Sequence, residues 1–85
     1  MSYTIEYDKG VQKELSRLPS KNIIQILNKI ESLASDPYQS GIKKLKGYDF
    51  VYRARVGNYR ILYEIDGGKL VIIIIAIGDR KNIYD

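Results

Sequence analysis

Cysteine, histidine and tryptophan are absent from the 85 residues, and proline occurs only twice. With no cysteine there is no disulfide framework and no thiolate metal site, which suits a reducing compartment. With no histidine the commonest general base at neutral pH and the commonest transition-metal ligand are both missing. A metal would have to be held by carboxylates alone, and no spacing of Asp and Glu has that pattern, so neither metal nor cofactor is expected. The N-terminal MSYTIEYDKG has no apolar signal core, and the one strongly apolar run, residues 70–77, is far too short to span a bilayer. A soluble cytoplasmic protein with no membrane partner is expected, built as one domain over residues 1–85 around a single thin core.

What is present is unevenly spread positive charge. The net charge is only +4, but residues 41–63 hold Lys43, Lys44, Lys46, Arg53, Arg55 and Arg60 against Asp49 alone. A basic patch on a near-neutral remainder is the footprint of a nucleic-acid binder, and it would also attract an acidic protein partner. The run VYRARVGNYRILY, residues 51–63, reads as a β-hairpin. Gly57 takes the first central position of a two-residue turn, where a type II′ hairpin needs positive φ. That turn sets Val56 opposite Tyr59, Arg55 opposite Arg60, Ala54 opposite Ile61, Arg53 opposite Leu62 and Tyr52 opposite Tyr63. One face is then apolar (Tyr52, Ala54, Val56, Tyr59, Ile61, Tyr63), and the other carries Arg53, Arg55 and Arg60.

Like charges directly opposite one another destabilise a sheet. At roughly 5 Å two unit charges repel by about 0.8 kcal/mol in water and by up to roughly 3 kcal/mol at a surface-like effective dielectric. Folding does not ask for this arrangement, whereas guanidinium groups suit phosphate geometry, so a polyanion-binding face is the preferred reading over a merely solvated one.

The rest of the chain builds around the hairpin. Tyr3, Ile5 and Tyr7 alternate with Thr4 and Glu6, the period of a half-buried strand. Asp8 is placed to cap a helix running to Leu18 on Val11, Leu15 and Leu18; Pro19 ends it and Ser20 caps the next. The second helix, residues 21–35, is expected to bury Ile23, Ile24, Leu27, Ile30, Leu33 and Ala34. Lys9, Lys13 and Arg17 recur every four residues, a solvated face on the first helix. Residues 38–47 show no clean period, so their lysines are assigned to a loop. Asp66-Gly67-Gly68 marks a second tight turn into a β-branched strand, residues 69–77, expected at the centre of the sheet with its facing undetermined. The class is α+β, in the order β-α-α-β-β-β: a largely antiparallel four-stranded sheet with a helical hairpin packed on one face, leaving the arginine face open.

Standard nucleophilic, zinc and two-carboxylate mechanisms lack their residues here. Arg, Lys and Tyr could still promote RNA cleavage if the substrate supplied its own nucleophile, a 2′-hydroxyl attacking the adjacent phosphate while fixed cations hold the added charge. Tyr84, close to Arg80, could stack on a base or bond near the phosphate, or simply pack against the sheet edge.

The order of elements, LKG at residues 45–47, the run YRARVGNYRILYEI and the ending IGDRKNIY together resemble the RelE family of bacterial and archaeal toxins, over nearly the whole chain. The resemblance implies a metal-independent mRNA interferase acting at the ribosomal A site and restrained by a cognate, RelB-like antitoxin. It assigns catalytic roles to Arg53, Arg55, Arg60, Arg80 and Tyr84, with Arg60 on the scissile phosphate and Arg80 supporting the departing 5′-oxygen. Lys43, Lys44 and Lys46, with Arg53, would hold RNA. Where Arg55 stands, well-described members carry a lysine proposed as general base; arginine is essentially never deprotonated, so Arg55 reads as charge stabilisation and the base stays open. The related ParE branch, whose toxins act on DNA gyrase, and a non-catalytic RNA- or ribosome-binding domain are the alternatives.

Overall fold

In the computed structural model, residues 2–79 are described. The elements are β1 (Thr4–Tyr7), α1 (Val11–Ser16), α2 (Ser20–Ser35), β2 (Lys43–Lys44), β3 (Val51–Val56), β4 (Tyr59–Asp66) and β5 (Val71–Asp79). The strands form one mixed sheet in the order β1-β5-β4-β3-β2, antiparallel except for the β1–β5 pair. The α+β class and the element order agree with expectation. The sheet has five strands where four were expected, because Lys43 and Lys44 leave the loop to pair with Arg53 and Tyr52.

The hairpin has the register that the sequence predicts, from Val56 opposite Tyr59 to Tyr52 opposite Tyr63. Gly57 has φ of 58°, the positive value required at the first central position of the turn. The next connection is longer than a tight two-residue turn: Asp66 stays in β4 and faces Val71, and its carboxylate accepts the N–H groups of Gly68 and Lys69 at 3.1 and 3.0 Å. Such an aspartate-organised loop is a common local alternative to a strand ladder.

The strand after it is interior, between β1 and β4, while β4 holds the centre of the sheet. It also runs on to Asp79. Its facing is set by a bulge. Leu62 faces Ala76 but Tyr63 faces Ile74, so Ile75 is the extra residue and the alternation shifts there. Ile72 and Ile74 before the bulge and Ile77 after it therefore all join the core, where a strict period of two would turn one set outward.

Both helices cover that core face. Val11 and Leu15 of α1 and Ile26, Ile30 and Leu33 of α2 pack with Ala54, Ile61, Tyr63, Ile65, Ile72, Ile74 and Ile77. The register of α2 differs from expectation. Ile26 is fully buried, while Ile24 and Leu27 are 61% and 41% exposed. The i, i+4, i+7 set Ile26, Ile30 and Leu33 faces inward, and Ile24 lies on the outward flank. The helix starts differ too. Gly10, with φ of 87°, precedes α1, which ends at Ser16 rather than Leu18; the main-chain carbonyl of Asp8, not its side chain, receives the Val11 N–H at 3.2 Å. Ser20 is the first residue of α2, and the Pro19 carbonyl accepts the Asn22 and Ile23 N–H groups.

Tyr63 is a polar anchor within this core. Its buried hydroxyl donates to the Pro37 carbonyl at 2.9 Å, and its ring stacks on Tyr52 with centroids 6.1 Å apart. Burial, then the nearby Tyr52, Tyr38 and Asp36, push the phenol well above its ordinary value, so it stays a neutral donor.

Candidate nucleic-acid interface

The cations occupy the sheet face opposite the helices, in rows set by the pairing. Lys43 faces Arg53, which faces Leu62, which faces Ala76; one step along, Arg55 faces Arg60, which faces Gly78. Cross-strand neighbours share a face, so Lys43, Arg53, Arg55 and Arg60 converge on one surface. Lys44 pairs with Tyr52 and therefore belongs to the helix-side face, and Lys46 lies exposed in the turn after β2. Arg80 and Tyr84 lie outside the described residues.

The expectation of a uniformly open arginine face needs correction. Arg53 and Arg60 are each only 9% exposed, and Arg55 alone of the three is exposed. Two features account for this. Arg60 stands on β4, flanked by β3 and β5, and Arg53 stands on β3 between β2 and β4, so neighbouring strands enclose their stems; Arg55 lies beyond the end of β2. This face also has its own small apolar cluster, Leu45, Val51 and Leu62, flanked by Ile75 and Ala76. The Leu45 N–H donates to the Val51 carbonyl and the Ile65 N–H to the Phe50 carbonyl, which ties both ends of the 45–50 connection to the neighbouring strands. Long cationic stems are suited to lying along such apolar ground with their charged ends outward.

Gly78 has a part the sequence does not announce. The strand was expected to end at residue 77, but Gly78 is within β5 and pairs directly with Arg60 across the sheet. Lys29 of α2 also escapes sequence reasoning, since it belongs to no charge pattern. It reaches the same edge of the sheet, where Lys29, Ser40, Lys43, Arg53 and Arg55 line one depression of about 300 Å³. Among the described residues no three His, Cys, Asp or Glu side chains converge to hold a metal ion, and no helix is long and apolar enough to cross a membrane.

A row of guanidinium groups in fixed register can bind phosphate oxygens by bidentate, charge-assisted hydrogen bonds and can stabilise added negative charge. Comparison with known proteins says which family uses this scaffold. The model of the family described as the ParE toxin of type II toxin-antitoxin system, parDE, matches residues 5–84. Toxin RelE3 of Methanocaldococcus jannaschii is 39% identical over 83 residues, covering 93% of this chain and 92% of its own. The chain belongs to the RelE/ParE family of type II toxin-antitoxin toxins. Within the family, the fold matches the crystal structure of the archaeal RelE–RelB complex from Pyrococcus horikoshii OT3 with a TM-score of 0.84 and 30% identity, over 98% of this chain and 100% of that one. The mRNA interferase toxin RelE of Escherichia coli is a more distant family member, 26% identical over 84 residues, covering 96% of this chain and 87% of its own.

Proposed function

We propose that this toxin is a ribosome-dependent mRNA interferase, held inactive by a RelB-like antitoxin. The observation that carries the reading is the cross-strand row Lys43–Arg53 and Arg55–Arg60 on one sheet face, with Arg60 enclosed by the sheet and Arg55 exposed beside it. The likeness to an mRNA interferase of Escherichia coli and to a RelE crystallised with RelB supports it.

In this mechanism the RNA supplies the nucleophile. The 2′-oxygen attacks the neighbouring phosphorus and gives up its proton, and the bond from phosphorus to the 5′-oxygen breaks. The departing oxygen takes a proton, leaving a 2′,3′-cyclic phosphate and a 5′-hydroxyl. Arg60 holds the non-bridging oxygens, and its enclosure fixes it before substrate arrives, which is where electrostatic stabilisation is strongest. Arg55 and Arg53 add charge from the neighbouring strand. Arg55 cannot serve as the base, since a guanidinium stays protonated. Arg80 supports the 5′-oxygen, as the family resemblance implies, and Tyr84 stacks on a base or hydrogen-bonds near the phosphate. Lys43, with the more peripheral Lys44 and Lys46, holds the flanking RNA.

The test is primer extension on a defined mRNA in a purified translation system, with and without stalled ribosomes. Breaks at A-site codons are expected only with ribosomes and wild-type protein. Arg60→Ala is expected to lower the cleavage rate by at least about 100-fold, the scale seen when one preorganised transition-state donor is removed. Undiminished cleavage by Arg60→Ala refutes the site. No breaks from folded wild-type protein refutes the activity and directs attention to gyrase inhibition, in line with the ParE description of the matching family model.

A further inference from the structure

The depression at the sheet edge is formed by a detail of the fold. β2 begins only at Lys43, opposite Arg53, and Gly41, with φ of 90°, turns the preceding chain aside where it would otherwise run alongside Arg55. The gap is lined from three directions, by Lys29 of α2, Ser40 of the connecting segment, and Lys43, Arg53 and Arg55 of the sheet. None of its lining residues is acidic or aromatic.

Lys29 is positioned without being neutralised. Its Nζ donates to the Gln39 Oε1 at 2.7 Å, and Gln39 is held in turn, its Nε2 donating to the Ser32 Oγ at 3.2 Å and the Asp36 carbonyl at 3.0 Å. A neutral amide fixes the ammonium in place, and its positive charge stays available to a ligand. Cations gathered from separate elements favour the binding of a polyanion.

We infer that this depression is a second phosphate subsite, which takes the backbone of single-stranded RNA beside the nucleotide bound at the Arg55–Arg60 row. The inference rests on the proposed RNA substrate and extends it around the sheet edge onto α2. A backbone rather than a base is the ligand, because base recognition in single strands relies on stacking platforms and this site has none. Continuity with Arg55 favours the same RNA strand over a separate acidic peptide.

The test measures binding of a fully 2′-O-methylated, hence uncleavable, single-stranded RNA to the full chain by fluorescence anisotropy across a salt series. Lys29→Met and Gln39→Glu, which places a carboxylate against Lys29, are each expected to weaken binding several-fold. Each should also lower the slope of log affinity against log salt by about 0.7, the change for one lost phosphate contact on a single strand. Lys29→Arg should restore the wild-type slope, which a purely structural role for Lys29 would not require. In the ribosomal cleavage assay, Lys29→Met should raise KM and leave kcat within a few-fold of wild type. Wild-type binding and slope in both Lys29→Met and Gln39→Glu overturns the subsite whether or not the wild-type protein cuts mRNA. A Lys29-dependent slope from wild-type protein that cuts no mRNA supports the subsite and refutes the nuclease reading.

Discussion

Arg55 and Arg60 are paired across the hairpin yet stand in different surroundings, one exposed and the other enclosed between two strands. On the proposed RNA-cleaving reading, that difference divides the work between them, with Arg60 as a fixed clamp and Arg55 as an adjustable charge. Arg55→Lys should therefore retain cleavage within about tenfold and leave its pH profile unchanged, as measured by single-turnover rates between neutral and alkaline pH. A new ionisation limb in that variant would show that the position takes part in proton transfer. Tyr63 makes a separate prediction about stability. Its phenol is raised by burial in the folded state, so the folded form binds the proton more tightly than the unfolded form, whose value is near 10.0. The stabilisation it brings is complete below that unfolded value and is lost as pH rises above it. Tyr63→Phe should flatten this alkaline fall in denaturant-midpoint measurements and cost about 1–3 kcal/mol at neutral pH, because the buried Pro37 carbonyl loses its donor.

Among the elements, the hairpin was the most legible from sequence. A glycine at the one turn position needing positive φ fixes its register, and the alternation of apolar and charged residues agrees with it. The helix that buries Ile26 was less so, since residues 23, 24, 26, 27 and 30 are all apolar and several helical faces fit the pattern. Tertiary packing chooses among them. Ile26→Ala should cost about 2–5 kcal/mol in chemical denaturation, the range for emptying a filled core site, while Ile24→Ala should stay within about 0.5 kcal/mol of wild type. The reverse order would mean that α2 is rotated. The bulge at Ile75 had no local signal, because an unbroken run of β-branched residues looks the same in either facing. The short strand Lys43–Lys44 was invisible for a related reason: two lysines have no strand character, and their pairing depends on β3 being there to receive them.

At the scale of the whole molecule, the helices take one face of the sheet and leave the other to cations, a division that follows from the apolar and charged sides of a single hairpin. The placement of charge was legible in the sequence, but the enclosure of Arg53 and Arg60 was not, since it depends on which strands come to flank them. Lys29 was likewise out of reach, because it is distant in sequence from the basic stretch and meets it only at the sheet edge. The central claim of the proposed function is that this architecture presents fixed cations to an RNA that carries its own nucleophile. It is tested most directly by replacing a single 2′-hydroxyl with hydrogen, at the nucleotide on the 5′ side of the cut, in mRNA held on ribosomes with wild-type protein. Loss of that cut, with cleavage retained on the all-ribose message, is the predicted result; a cut of undiminished rate at the deoxy position would contradict it.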